Sequence, residues 1–284
     1  MGEASVRPIQ ILRVEGEQAP AHPAEDLLVE EEPLEIRLGF GPAGQREQKR
    51  ISVTMRTPGH DLELALGFLI GEGIVRYPGE VTHLDHCRNV RQPEEVGNVV
   101  KVELADGILP EIDHLQRNFY MTSSCGVCGK GSIEAISQVS CPVLPVGAPV
   151  WTPAMVHGLP DRARGTQTIF RHTGGIHAAT LCRSDGEILY SREDVGRHNA
   201  VDKVVGARWL SPSPPDPDAL LLVSGRAGFE LVQKAIVAGI ALMAAVGAPS
   251  SLAVDLAREH NLTLLGFVRN QRFNVYSGAE RLAL

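Results

Sequence analysis

The stretch Ala219–Arg272, ALLLVSGRAGFELVQKAIVAGIALMAAVGAPSSLAVDLAREHNLTLLGFVRNQR, decides the fold. It holds three continuous apolar runs, Leu220–Val223, Ile240–Val246 and Leu262–Val268. Helical spacing fills the gaps, from about Phe229 to Ala238 before Gly239 and again from Ser251 to about His260. Apolar runs without polar alternation read as strands buried on both faces, and their alternation with helices predicts parallel strands joined by crossovers. The segments that follow the runs then share one edge of a sheet: Ser224-Gly225-Arg226, Gly247-Ala248-Pro249-Ser250-Ser251 and Arg269-Asn270-Gln271-Arg272. In open α/β sheets ligands bind at that carboxyl edge, and two of these loops open helices whose free amides can hold phosphate. Arg226, Ser250, Ser251, Arg269 and Arg272 are therefore expected to cradle an anionic, nucleotide-bearing ligand. Ordinary loop polarity explains any one of them as well, but less readily all three loops together.

Working back toward the N-terminus, Ser211–Asp218 is a proline-rich loop. Glu193, Asp194, Arg197, His198, Asp202 and Lys203 crowd charge around a helix start, more than a solvated face needs, and are read as the wall of a site. His172–Ala179, with Gly174-Gly175 between histidines, fits a tight turn before a strand and a backbone approaching a ligand about equally. Pro142–Pro153 reads as a connection. Leu34–Leu38 and Arg50–Arg56 alternate as half-buried strands around the turn-rich Gly39–Gly44 and form a hairpin. Thr57-Pro58 supplies a helix cap and a first-turn proline, Leu62, Ala65, Leu66 and Leu69 mark one helical face, and Gly71 or Gly73 ends it. Val99–Leu104 is a further strand. His83, His86 and Cys87 do not make a metal set, because His83 and His86 face opposite ways in an extended segment. Residues 1–33, rich in Ala, Pro and Glu, are expected to form a flexible leader with one strand near Ile9–Val14. This predicts an N-terminal β-rich part with one helix over 34–120 and a C-terminal α/β domain over 121–284.

Composition narrows the function. The chain has 284 residues, 43% hydrophobic and 21% charged, with a net charge of −7. That balance argues against general nucleic-acid binding, which depends on basic patches. No apolar run approaches the roughly 20 residues of a membrane span, and the N-terminus lacks a signal-peptide core, so a cytoplasmic protein without membrane contact is expected. Five cysteines, an odd and scattered set, fit free thiols in a reducing compartment.

Two of those thiols stand in Thr122-Ser-Ser-Cys125-Gly-Val-Cys128-Gly-Lys130-Gly131, before the helical spacing Ile133, Ile136, Val139. A helix opening near Ser132 would turn its amides toward them and Lys130 would add a charge, both favouring thiolate. Several chemistries suit such a pair. Structural zinc would need Cys141 and a histidine to complete four ligands. A thioredoxin-like dithiol lacks its usual βαβ setting here. The zinc deaminase signature, with an acid/base glutamate, is not encoded, and Gly129-Lys130 departs from a phosphate-binding loop at both flanking positions. A nucleophilic cysteine beside a nucleotide-sized anion site remains.

Seven segments, in order along the chain, carry a resemblance: MRTPGHDLELALGFLIGEG (Met55–Gly73), TSSCGVCGK (Thr122–Lys130), TGGIHAATL (Thr173–Leu181), SREDVGRHNAVDKVVG (Ser191–Gly206), SGRAGFELVQKA (Ser224–Ala235), APSSLAV (Ala248–Val254) and GFVRNQRFNVY (Gly266–Tyr276). The sequence resembles the FdhD family of formate dehydrogenase accessory sulfurtransferases. It departs in small ways, with His60 where members often have an acid and Gly228 where serine is common. The resemblance implies a cytidine-deaminase-like three-layer α/β domain with a smaller β-rich N-terminal domain, in a homodimer. It implies a sulfur carrier, or sulfurtransferase, that takes persulfide sulfur from a cysteine desulfurase. The sulfur then passes to the molybdenum cofactor, as bis(molybdopterin guanine dinucleotide), before insertion into formate dehydrogenase; no permanent metal is implied. By match of motif, Cys125 would carry the persulfide and Cys128 assist, while the cofactor-binding stretch falls on Phe267, Val268, Arg269, Asn270, Gln271 and Arg272. With Ser224, Gly225, Arg226, Ser250 and Ser251 from the strand-end loops, these complete the expected binding site.

Overall fold

The computed structural model describes residues 5–16, 20–88, 92–112, 139–148, 150–213 and 216–284. Cys125, Cys128, Lys130 and the helix expected from Ser132 lie outside the described residues.

Alternation builds the N-terminal sheet. In β3 (Glu32–Phe40) Leu34, Ile36 and Leu38 recur at every second position and are wholly buried. This strand pairs antiparallel with β4 (Glu47–Arg56), and on its other side runs parallel to β6 (Val99–Leu104), which pairs antiparallel with β5 (Val81–His86). Helix α1 (Asp61–Gly71) is buried nearly all round, packing against β5, β6 and the second half of the chain. It begins three residues later than Thr57-Pro58 suggests. Thr57 is not its cap, because its N–H and hydroxyl are already engaged by Asp194 and Val195. The stretch expected to be a flexible leader carries a hairpin instead, β1 (Val6–Arg13) with β2 (His22–Val29), whose apolar residues Ile9, Ile11 and Leu27 are partly covered.

The larger sheet has six strands in the order β12-β11-β10-β9-β7-β8: β7 (His177–Cys182), β8 (Ile188–Asp194), β9 (Leu220–Val223), β10 (Leu242–Ala245), β11 (Thr263–Arg269) and β12 (Arg272–Ser277). The three apolar runs are β9, β10 and β11, parallel and adjacent as expected. Their crossover helices α5 (Phe229–Val237) and α6 (Ser251–Glu259) share one face with α4 (Arg197–Leu210), since right-handed crossovers in one direction stack on one side. Helix α2 (Pro153–Thr166), followed by the short α3 (Thr168–Thr173), covers the other face, packing on β8 and β11. The α/β class with a separate β-rich N-terminal sheet is therefore what the chain adopts. No helix among the described residues is long and apolar enough to cross a membrane.

Two elements differ from the sequence expectation. Arg269–Arg272, expected as a third strand-end loop, is a tight turn: Asn270 and Gln271 both take positive φ (53° and 57°), so β11 turns back at once into β12 as a two-residue hairpin. Helix α2 occupies a stretch read as following a connection. Its start, Thr152 accepting from Met155 N with Pro153 in the first turn, is well signalled, but Pro160 inside it interrupts the periodic pattern.

Candidate functional site

At the carboxyl edge of β9 and β10 the first two predicted loops are stitched to each other. Gly247 N–H donates to Gly225 O (2.9 Å), Ala227 N–H to Ala248 O (3.2 Å) and Ser250 N–H to Ala227 O (3.0 Å). The Ser250 hydroxyl accepts from Ala253 N (3.3 Å) as the α6 cap, and the Ser224 hydroxyl accepts from Ala178 N (2.9 Å). Their polarity is largely spent on holding the edge together.

The open space lies beside this edge, under α2, as a cleft of about 440 Å³. One wall is the helix face carrying His157, Asp161 and Arg164, spaced three to four residues apart, with Gln167 just beyond it. The floor is Thr180, His177 and Ser224, and the far wall is the hairpin tip Arg269, Asn270 and Gln271. A bulge between Gly266 and Arg269 aims that tip. It holds Phe267 in the left-handed region (φ 56°), with the Arg269 guanidinium 5.8 Å from the ring centre. Backbone strain of this kind costs on the order of 1–3 kcal/mol and collects at ligand sites.

Of the predicted binding residues, Ser224, Arg269, Asn270 and Gln271 line the cleft, and Gly225 lies against the His177 ring, where an added Cβ would sit 3.6 Å from it. Arg226, Ser250, Ser251, Phe267, Val268 and Arg272 are not among the lining residues; Val268 is in the core, while Arg226, Ser250, Ser251 and Arg272 face solvent. The whole α2 wall escaped the sequence reading, although the Thr152-Pro153 start signal pointed to that helix.

The charged segment before α4 divides into two. Asp194, wholly buried, accepts from Thr57 N, Gly196 N and Asn199 Nδ2 and pairs with Lys203 Nζ at 2.7 Å. Asp202 pairs with Lys234 at 2.7 Å. Arg192 clamps Glu63 of α1; burial alone would raise that carboxyl, but the hydrogen bonds from Arg192 and His60 outweigh it and hold it down at about 2. Asp194 and Arg192 thus fasten the two halves of the molecule, and the Asp202–Lys234 pair ties α4 to α5, rather than walling a site. The charges of Arg197 and His198, by contrast, act on His177. Burial lowers the His177 pKa, the Arg197 charge lowers it further, and Asp194 opposes them, so the imidazole is neutral at pH 7.

Among the described residues no cluster of three or more His, Cys, Asp or Glu could hold a metal ion, and His83, His86 and Cys87 form none. The Cys182 thiol is wholly buried and pushed up to about 12 by that burial, which removes it as a nucleophile. The cleft thus offers two guanidiniums, side-chain amides, one carboxylate and a neutral imidazole, a set suited to a phosphorylated ligand with a hydrogen-bonding base.

The model of the FdhD/NarQ family matches residues 29–283. The "Sulfur carrier protein FdhD" of Streptomyces coelicolor is 49% identical over 262 residues, 91% of this chain and 90% of that one. The protein of the same name in Mycobacterium tuberculosis is 47% identical over 262 residues, 90% of this chain and 92% of that one. A solved structure of a candidate formate dehydrogenase accessory protein from Desulfotalea psychrophila superposes with a TM-score of 0.73 over 97% of this chain and 99% of that one. At 22% identity it speaks for the fold alone.

Proposed function

This chain belongs to the FdhD/NarQ family, and from that premise we propose that it is a sulfur carrier serving the maturation of formate dehydrogenase. The observation that carries the reading is the end-to-end identity of nearly half with relatives named as sulfur carriers. Sulfur enters from the persulfide of a cysteine desulfurase. The Cys125 thiolate attacks the outer sulfur; a new S–S bond forms at Cys125 as the donor's S–S bond breaks, and the donor leaves as a thiolate that takes up the proton. The rate of such an exchange follows the thiolate fraction of the attacker and the pKa of the leaving thiol. Cys128 assists. The receiver is the molybdenum cofactor in its bis(guanine dinucleotide) form. As a cargo it presents phosphates and a guanine, for which the cleft's Arg164 and Arg269 and its amides provide charge-assisted partners. The carrier works in the cytoplasm as a homodimer.

The test is desulfurase, cysteine and the full-length chain followed by intact mass. Wild type is expected to gain one sulfur atom and Cys125→Ala none; equal gain in both would remove Cys125 from its role, and no gain in wild type would remove the carrier reading. For the cargo end, Arg269→Ala is expected to weaken guanosine diphosphate binding by roughly tenfold or more, the size of a charged hydrogen bond. Ser250→Ala, whose hydroxyl is occupied in the α6 cap, is expected to leave it unchanged. Calorimetric titration reads both, and an unaltered affinity in Arg269→Ala would place the nucleotide elsewhere.

A further inference from the structure

One group in the cleft under α2 does not suit an anion. Asp161 supplies the single carboxylate among the described lining side chains, between His157 and Arg164 on one face of the helix. Arg164 stands three residues on, the spacing at which opposite charges on a helix commonly pair, and Arg269 stands on the opposite wall. Yet Asp161, Arg164 and Arg269 form no ion pair with each other or with any other group among the described residues. Asp161 is exposed on the cleft side of α2, so both of its oxygens are open to whatever enters. In a cleft that served phosphate alone such a carboxylate would only repel. A ligand that suits all three must carry negative charge at one end and hydrogen-bond donors at another, as a nucleotide does.

The other polar side chains of the cleft cannot choose between bases. Gln167 and Asn270 each carry a donor and an acceptor on one amide, which turns over to suit either edge, and the neutral imidazole of His177 also holds one of each. A carboxylate only accepts. Guanine presents two adjacent donors on its pairing edge, N1–H and the N2 amino group, which match the two oxygens of a carboxylate. Adenine has a bare N1 at that place, and its lone pair would face a negative oxygen. A site built around hydrogen bonds to particular donors rejects the analogue that lacks them, because its own polar groups are then left unpaired.

We propose that Asp161 is the specificity-determining residue of the cleft: it accepts from N1–H and the N2 amino group of a guanine base, while Arg164 and Arg269 hold the phosphates of the same nucleotide. The assignment rests on the reading of the cleft as the guanine-nucleotide site for the carrier's cargo. It adds the element that the arginines and amides lack, a reason for this nucleotide rather than another to be held. The free carboxylate between two free guanidiniums is then a division of labour along α2, with the base read by Asp161 and the charge met by the arginines.

Calorimetric titration of the full-length chain with the diphosphates of guanosine, inosine, adenosine and xanthosine reads the base directly. Wild type is expected to bind guanosine diphosphate more tightly than inosine diphosphate, which lacks the amino group, and more tightly than adenosine diphosphate, each by roughly tenfold or more. For Asp161→Asn, charge and base reading predict opposite signs. Loss of a negative charge beside two guanidiniums would by itself tighten every diphosphate alike. Base reading requires guanosine diphosphate to weaken by roughly tenfold or more. Xanthosine diphosphate must then become the tighter of the two, because an asparagine amide can donate to the oxygen that replaces guanine's amino group. Asp255→Asn removes an exposed carboxylate of α6 outside the cleft and is expected to leave the order of the four nucleotides unchanged. Equal affinity of wild type for guanosine and adenosine diphosphates, or guanosine diphosphate tightened or still preferred over xanthosine diphosphate in Asp161→Asn, would overturn the role of Asp161 and leave the nucleotide site standing. No binding of any diphosphate by wild type would overturn both that role and the placing of the cargo in the cleft. Sulfur loading of Cys125, followed by mass, reports on the carrier role alone.

Discussion

Asp194→Ala is expected to cost about 4 kcal/mol or more of folding free energy, a large share of the roughly 5–15 kcal/mol that holds a typical protein folded. The carboxylate is wholly buried and receives four donors: Lys203 Nζ at 2.7 Å, Gly196 N at 2.8 Å, Asn199 Nδ2 at 2.9 Å and Thr57 N at 3.1 Å. Removing it leaves the Lys203 ammonium, only 1% exposed, with the Thr57 and Glu193 carbonyls and no counter-charge. Breaking one side of a buried pair costs about 3–5 kcal/mol by itself, and each orphaned N–H adds about 1–3 kcal/mol before relaxation. The sum is not additive, because all four donors share one acceptor. Asp194→Asn retains an oxygen and the side-chain shape and is expected to fall between. Urea unfolding gives the comparison, and a loss under about 1 kcal/mol in Asp194→Ala would mean that the pair is not the fastening it looks to be. The damage would reach function too. Asp194 bonds Thr57 of the N-terminal half to the turn that sets Arg197 and His198 in place, so weakened fastening shows first as loss of order at the corner beside His177.

That corner also shows how far the residues speak before folding. The parallel strands β9, β10 and β11 were legible because each is buried on both faces and therefore written as a largely apolar run, Ile240–Val246 most plainly. The edge on which a ligand would sit follows from their direction. What a run cannot say is where a loop's polar atoms end up: Ser250 and Ser224 look like phosphate ligands until the cap of α6 and the amide of Ala178 are seen to occupy them. Charge density misleads for the same reason. Asp194, Asp202 and Lys203 read as a site wall, yet a buried junction between two halves needs paired charge as much as a site does. The hairpin tip Asn270-Gln271 hid behind its likeness to the two preceding loops, though asparagine's tolerance of positive φ and the alternation of Phe273 and Val275 were the available signs. Half the cleft went unread because Pro160 masks the period of α2, and no local pattern announces which helix will lie over which strands.

Gly206→Ala is the other large effect, and intrinsic helix propensity predicts the opposite sign. In an exposed helix the change would stabilise by about 1 kcal/mol. Gly206, however, sits where α4 crosses α1: a Cβ there would stand 1.9 Å from the Glu63 carbonyl oxygen, and one at Gly67 would stand 1.8 Å from that of Asp202. Ordinary contact begins near 3.4 Å and the obstacle is backbone, so no side chain can turn aside. The helices must separate by roughly 1.5 Å, along a crossing where Leu66, Phe68, Val201 and Val205 are buried. Overpacking costs about 1–3 kcal/mol where side chains can yield, and here about 3 kcal/mol or more is expected because they cannot. Gly67→Ala should match it. The double variant should cost clearly less than the two together, since separation forced by either residue makes room for the other. Thermal unfolding of the four proteins decides it: full additivity would mean that the two glycines do not meet in one crossing, and no loss in Gly206→Ala would mean that the helices pass farther apart.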